Sequence, residues 1–160
     1  MLHKQLWYWD SCVLIGVLKK EPDKIKILRD LLYQADAGKA LIIFSAWSFF
    51  EVMHLGNKNL LDAALEKSIR DFMQRSCFQV RNLDRRIAEY GREIVWQQAK
   101  NGIQITAKDA PHLATASLVN ADVLHTYDPV LLSLSEKLLR DDGKPLKIQI
   151  PFLDQDLLDL

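Results

Sequence analysis

Four acidic residues stand where a sequence can do chemistry: Asp10 in WDSCVLIGVL, Glu51 in SFFEVM, Asp109 in KDAPHLATA and Asp128 in HTYD. Asp10 follows the apolar run Leu6–Trp9, and Glu51 comes shortly after Leu41–Phe44. Asp109 opens a small-residue helix, and Asp128 follows the strand-like run Val123–Thr126. In an open α/β sheet the carboxyl ends of parallel strands share one edge, where ligands collect. Carboxylates gathered there raise each other's pKa values, and burial adds to the effect. Divalent cations resolve the conflict, and hard oxygen ligands suit Mg²⁺ or Mn²⁺. Such ions activate water and stabilise in-line displacement at a phosphodiester. No glycine-rich phosphate loop is present, which argues against a kinase or a nucleotide-driven motor.

Three of the acids have a second reading. Aspartate is a favoured helix N-cap, and Asp10 before Ser11, Asp109 before Pro111 and Asp128 before Pro129 all suit one. Thr106 and Asp109 also have the spacing of a capping pair. Glu51 lies inside a helical pattern, where no cap is needed; its alternative is a solvated face shared with Ser48 and His54. His112, one turn beyond Asp109, could orient water or touch substrate, but a packed or surface histidine is the preferred reading and leaves it out of the core site. Lys19, Lys20, Lys24 and Lys26 suit RNA phosphates or a solvated helix face equally. Trp7, Trp9, Trp47 and Trp96 read as core or partner anchors rather than base-stacking platforms.

Hydrophobic periodicity supplies the elements that must position these groups. Strands are predicted at Leu6–Trp9, Leu41–Phe44, Cys77–Val80, Val123–Thr126 and Leu146–Ile150. Helices are predicted at Cys12–Lys19, Lys24–Ala37, Ala46–Leu55, Leu60–Gln74 and Asp84–Lys100, then from Asp109 and over Pro129–Leu139. The third should bury Phe49, Phe50 and Met53, and the fourth Leu61, Ala64, Leu65, Ile69 and Phe72. Gly38 should cap the second helix, and Gly56-Asn57 break the third. Alternating strands and helices predict an α/β fold with a mainly parallel central sheet covered on both faces.

Composition sets the frame. The chain has 160 residues, 49% hydrophobic and 26% charged, which is globular. With 21 basic and 21 acidic residues it has no net charge, which disfavours broad electrostatic coating of nucleic acid. Cys12 and Cys77 form no CxxC pattern and read as reduced thiols. His3, Lys4 and Leu6–Leu18 faintly mimic a signal peptide, but Asp10 interrupts the run and no cleavage site follows. With no apolar stretch long enough to span a membrane, the expectation is a cytoplasmic protein that makes no membrane contact. A single domain is expected over 1–150, with a tail at 151–160 whose Leu153, Leu157, Leu158 and Leu160 could dock on a second subunit.

The four motifs, in this order and over Leu6 to Ile150, resemble those of the PIN-domain family, in particular the VapC-type toxin ribonucleases of bacterial toxin–antitoxin pairs. The resemblance implies a three-layer α/β/α sandwich and metal-dependent cleavage of single-stranded or structured RNA. It makes Asp10, Glu51, Asp109 and Asp128 the acidic cluster that holds Mg²⁺ or Mn²⁺, with Ser11 and Thr126 as supporting hydroxyls. Tyr127 is bulkier than that pattern leads one to expect. An antitoxin protein and a homodimer are the partners implied. Two other readings exist: a PIN-like module that binds RNA or protein with little catalysis, and an aspartyl-phosphate enzyme using Asp10. The second wants an aspartate where this chain has Cys12.

Overall fold

The computed structural model describes residues 4–52 and 63–153. Five strands form one sheet: β1 (Gln5–Trp9), β2 (Ala40–Ser45), β3 (Phe78–Arg81), β4 (Val123–His125) and β5 (Ile148–Gln149). Their order is β3-β2-β1-β4-β5 and every pairing is parallel. The chain steps outward from β1 through β2 to β3, then returns to place β4 on the other side of β1. The carboxyl ends of β1 and β4 therefore flank a topological switch point.

Seven helices are described: α1 (Ser11–Leu18), α2 (Ile25–Asp36), α3 (Ser48–Val52), α4 (Ala63–Met73), α5 (Arg85–Lys100), α6 (Ala110–Leu118) and α7 (Pro129–Leu132). They cover both faces of the sheet, because side chains of successive strand residues point to opposite faces. Trp7, Trp9, Ile42 and Phe44 pack with Leu14, Leu28 and Leu31 of α1 and α2. Tyr8, Ile43, Leu124 and Ile148 pack with Ile94 of α5 and Leu113 of α6. The result is the expected three-layer α/β/α sandwich. Gly38, with φ of 83°, ends α2 as anticipated.

Three expectations need correction. The helix expected over Pro129–Leu139 stops at Leu132. Ser133 Oγ bonds the Val130 carbonyl at 2.6 Å, Glu136 takes a positive φ, and its N–H goes instead to Leu146 O at 2.8 Å. Phe49 and Phe50, expected in the core, are 41% and 66% exposed, and Ala64 is exposed as well. The start of α3 explains the first two. Ser45 Oγ accepts the Trp47 N–H at 3.1 Å in a turn, so the helix begins only at Ser48 and turns Ser48 and Val52 inward, leaving Phe50 in solvent.

The expected Met53 contact, the helix end at Leu55, the Gly56-Asn57 break and Leu61 lie outside the described residues, as do Leu157, Leu158 and Leu160. Of the tail, Pro151 is buried and Leu153 packs on the core beneath α1 and α2. Among the described residues no helix is long and apolar enough to cross a membrane.

Candidate metal centre

The site grows from the end of β1. The Asp10 N–H donates to His125 O at 3.1 Å, which ties the end of β1 to that of β4. The Asp10 side chain then does two jobs. Oδ1 accepts the Ser11 N–H at 2.6 Å as α1 begins, and Oδ2 accepts the Thr126 hydroxyl at 2.8 Å. Thr126 Oγ1 also accepts the Asp128 N–H at 3.0 Å, so this one hydroxyl sets two of the acids relative to each other. Asp128 uses Oδ1 to cap α7, accepting from Val130 N at 2.7 Å and Leu131 N at 3.3 Å.

Glu51 arrives from α3. Its Oε2 accepts a hydrogen bond from Ser11 Oγ, which also lies 3.1 Å from Ser48 Oγ. Oε2 is also 2.7 Å from Nε2 of His112, on α6. His112 is 1% exposed, and its Nε2 is 3.5 Å from Asp10 Oδ1. Its Nδ1 lies 2.8 Å from Tyr8 Oη, which accepts the Ser45 N–H at 3.1 Å. The simplest donor assignment has Tyr8 donating to Nδ1, so that Nε2 carries the hydrogen directed at Glu51.

The electrostatics follow this contact. Burial by itself raises the pKa of Glu51, but the hydrogen bond and charge of His112, then Ser11 and Lys108, outweigh it and hold the carboxyl below its usual range. Burial lowers that of His112, but the Glu51 bond and the charges of Asp10 and Glu51 outweigh it and raise the imidazole above its usual value. Both partners shift in the direction of an ion pair. The Cys12 thiol, 3.4 Å from Asp10 Oδ2, is pushed up to about 12 by burial and then by the charge of Asp10. It is therefore protonated at neutral pH and unsuited to act as a nucleophile.

All four sequence-selected acids line one cleft of about 620 Å³, together with Ser11 and Lys108. Asp109 makes no side-chain cap bond. Its Oδ2 accepts the Thr106 hydroxyl at 2.5 Å instead. The opposing walls carry Ile15, Trp47, Phe50 and Tyr127. Lys24 Nζ sits 4.4 Å from the centre of the Tyr127 ring, a cation–π contact that occupies one of the lysines considered for phosphate binding. A separate depression of about 430 Å³ between α5 and α6 is lined by Val95, Trp96, Ala110 and Pro111 among others, and holds no carboxylate.

Among the described residues the tightest potential ligand set is Asp10, Glu51 and His112, whose donor atoms lie within 4.8 Å of one another. The two carboxylates fit a divalent ion, Mn²⁺ as well as Mg²⁺, and His112 can coordinate only once Nε2 gives up the hydrogen it directs at Glu51. Asp109 and Asp128 stand on the walls of the same cleft and outside that set. His112 is the residue that sequence reasoning left out. Its spacing ties it to Asp109, which lies outside that set, so the sequence did not mark it.

Replacement of His112 by leucine removes one of the two partners of Glu51 Oε2 and leaves the Tyr8 hydroxyl with the Ser45 N–H but no acceptor for its own proton. The expected cost is roughly 2 kcal/mol, because a broken charged pair costs several kcal/mol when fully buried and less when, as here, one partner reaches solvent. Urea unfolding measures it; an unchanged midpoint would exclude the Glu51–His112 pair in solution.

Fold and cleft together define an α/β domain with an acid-lined site at the switch point of a parallel sheet. The chain belongs to the PIN-domain family, whose model matches residues 8–137. Among solved structures it is similar to VapBC from Salmonella typhimurium bound to DNA, at 18% identity and a TM-score of 0.66, covering 92% of this chain and 99% of that one. VapBC2 from Rickettsia felis bound to a DNA fragment from its promoter gives 17% identity and 0.61, covering 78% and 89%. Mycobacterium tuberculosis VapC20, a sarcin–ricin loop cleaving toxin, gives 13% and 0.60, covering 77% and 90%. Likeness at these identities is one of fold. No curated protein matches the sequence.

Proposed function

We propose that this protein is a Mg²⁺- or Mn²⁺-dependent endoribonuclease acting on single-stranded or structured RNA, and that it is the toxin of a toxin–antitoxin pair. The observation that carries the reading is the meeting of Asp10, Glu51 and His112 in an acidic cleft of a PIN domain. Asp10, Glu51, Asp109 and Asp128 are the acids assigned to metal binding and catalysis, with Ser11 and Thr126 in support. His112 holds Glu51 in place through its Oε2.

The bound ion would supply Lewis acidity at the phosphodiester and a water of lowered pKa. The chain's own residues hold the geometry. Ser11 and Thr126 fix the two oxygens of Asp10, so its carboxylate cannot rotate freely. Ser11 and His112 both engage Oε2 of Glu51, which leaves Oε1 for the cleft. Lys108 supplies positive charge beside the acids on the same wall. In the overall reaction water adds across a P–O bond, hydroxyl going to phosphorus and a proton to the leaving oxygen.

Incubation with single-stranded RNA and Mn²⁺ is expected to give cleavage that EDTA abolishes and fresh Mn²⁺ restores. Cleavage that persists in EDTA, or none with any divalent ion, would overturn the assignment. The second reading, a binding module, draws on the caps that Asp10 and Asp128 supply. It requires RNA or protein binding without metal-dependent turnover. An antitoxin, a homodimer and a cytoplasmic site of action belong to the same proposal. Light scattering at micromolar concentration tests the dimer.

A further inference from the structure

The acidic cleft has an aromatic wall that metal binding does not need. Phe50 is 66% exposed although it sits on a helix one residue before Glu51. Its ring centre is 5.6 Å from that of Trp47, with the two planes inclined at 52°. Both residues line the cleft that holds the four acids, and Tyr127 lines it between Thr126 and Asp128. A large apolar ring left in water beside a carboxylate cluster gains nothing from burial in the free protein. The cleft volume of about 620 Å³ is within the usual range for an organic ligand and far beyond what an ion and its waters require.

With a divalent ion on the acids, as the ribonuclease reading requires, what fits is a ligand with a flat face next to an anionic group. A nucleotide has both. In a duplex the base faces are already stacked on their neighbours, so an aromatic wall selects unpaired nucleotides. A protein partner offering an aromatic or aliphatic side chain could also cover Phe50. Such a partner is one outcome of the test; with a divalent ion on the acids, a nucleotide brings the phosphate that complements it.

We propose that Phe50, backed by Trp47, is a stacking platform for an unpaired base adjoining the phosphodiester that meets the acids. This rests on the ribonuclease reading for the identity of the strand. Phe50 confers a preference for unpaired RNA and lies outside the metal set.

The test is fluorescence anisotropy with a short labelled single-stranded RNA, Ca²⁺ replacing the catalytic ion and gels confirming that the RNA stays intact. Phe50→Ala is expected to weaken binding about tenfold, the ordinary loss for one stacked base, and Phe50→Trp to restore it. Trp96→Ala removes an equally exposed ring from the α5–α6 depression and should change nothing. A series of abasic RNAs should include one position at which wild type and Phe50→Ala bind equally. Thermal melts verify that each variant is folded.

Equal binding of wild type and Phe50→Ala to the intact strand overturns the platform. So does equal weakening on duplex RNA, or a loss confined to binding of a protein partner. The two proposals separate cleanly. Cleavage with Mn²⁺ at unchanged KM in Phe50→Ala sinks the platform and keeps the nuclease. Binding through Phe50 without cleavage does the reverse, and neither binding nor cleavage sinks both.

Discussion

Asp10→Asn is expected to reduce Mn²⁺-dependent RNA cleavage by roughly a thousandfold, equivalent to about 4 kcal/mol of transition-state stabilisation. The size follows from its position. Asp10 is the buried acid common to the Thr126 contact, the Ser11 contact and the approach of His112. Asparagine keeps one oxygen for the Ser11 N–H but offers an NH₂ where Thr126 donates its proton, and it removes a negative charge from the ligand set. The fold should persist, because asparagine is as good a helix N-cap as aspartate. Asp10→Ala additionally loses the cap and should unfold about 1 kcal/mol more easily in EDTA. Thermal shift gives a readout independent of turnover. An ion that binds only the folded protein raises its melting temperature, and Asp10→Asn should lose most of that rise. Near wild-type cleavage, or an undiminished Mn²⁺ shift, would remove Asp10 from the centre.

The second large effect concerns acid. His125 on β4 is 1% exposed; its Nδ1 accepts the Trp9 Nε1–H at 3.2 Å, and its Nε2 has no partner. Burial, then the charge of Lys147, pushes its pKa down to about 3. The geometry gives the reason: a proton added at Nδ1 would face the indole N–H. Unfolding releases the ring to its ordinary value near 6.5, so between the two values the unfolded chain binds the extra proton. The contribution of neutral His125 is therefore complete above pH 6.5 and lost as pH falls towards 3, at up to about 1.4 kcal/mol per pH unit. Urea unfolding from pH 7 to pH 4 should show it. In His125→Leu the Trp9 N–H is orphaned, so the variant is weaker at neutral pH, but its stability should fall less steeply with acid. Parallel slopes for wild type and variant would show that His125 is not held neutral.

How far the sequence could be read depended on how local the cause was. The strands were legible because runs such as Trp7-Tyr8-Trp9 are apolar on both faces, which only a sheet covered on two sides can bury. The helices α2 and α5 were legible from their apolar stripes, and the end of α2 from Gly38. The Pro129–Leu139 region was not, since Glu136 leaves the helix to pair with Leu146, a contact absent from any short window. Phe50 misled for a similar reason. An apolar residue inside a helical pattern reads as core, and the late start of α3 that turns it outward depends on the Ser45 turn and the neighbouring strands.

The sequence by itself determined the four acids, their order, and the placing of Asp10 and Asp128 just beyond strands of a parallel sheet. Periodicity and cap chemistry act over a few residues, so these features survive without the fold. Only the tertiary structure decided how the acids divide. It put Asp10 and Glu51 in one set with His112, 61 residues from Glu51, and left Asp109 and Asp128 on the surrounding walls. A histidine on an otherwise apolar and small-residue helix declares nothing until its neighbours are known. Packing α6 beneath Tyr8 and opposite α3 sets its Nε2 against Glu51.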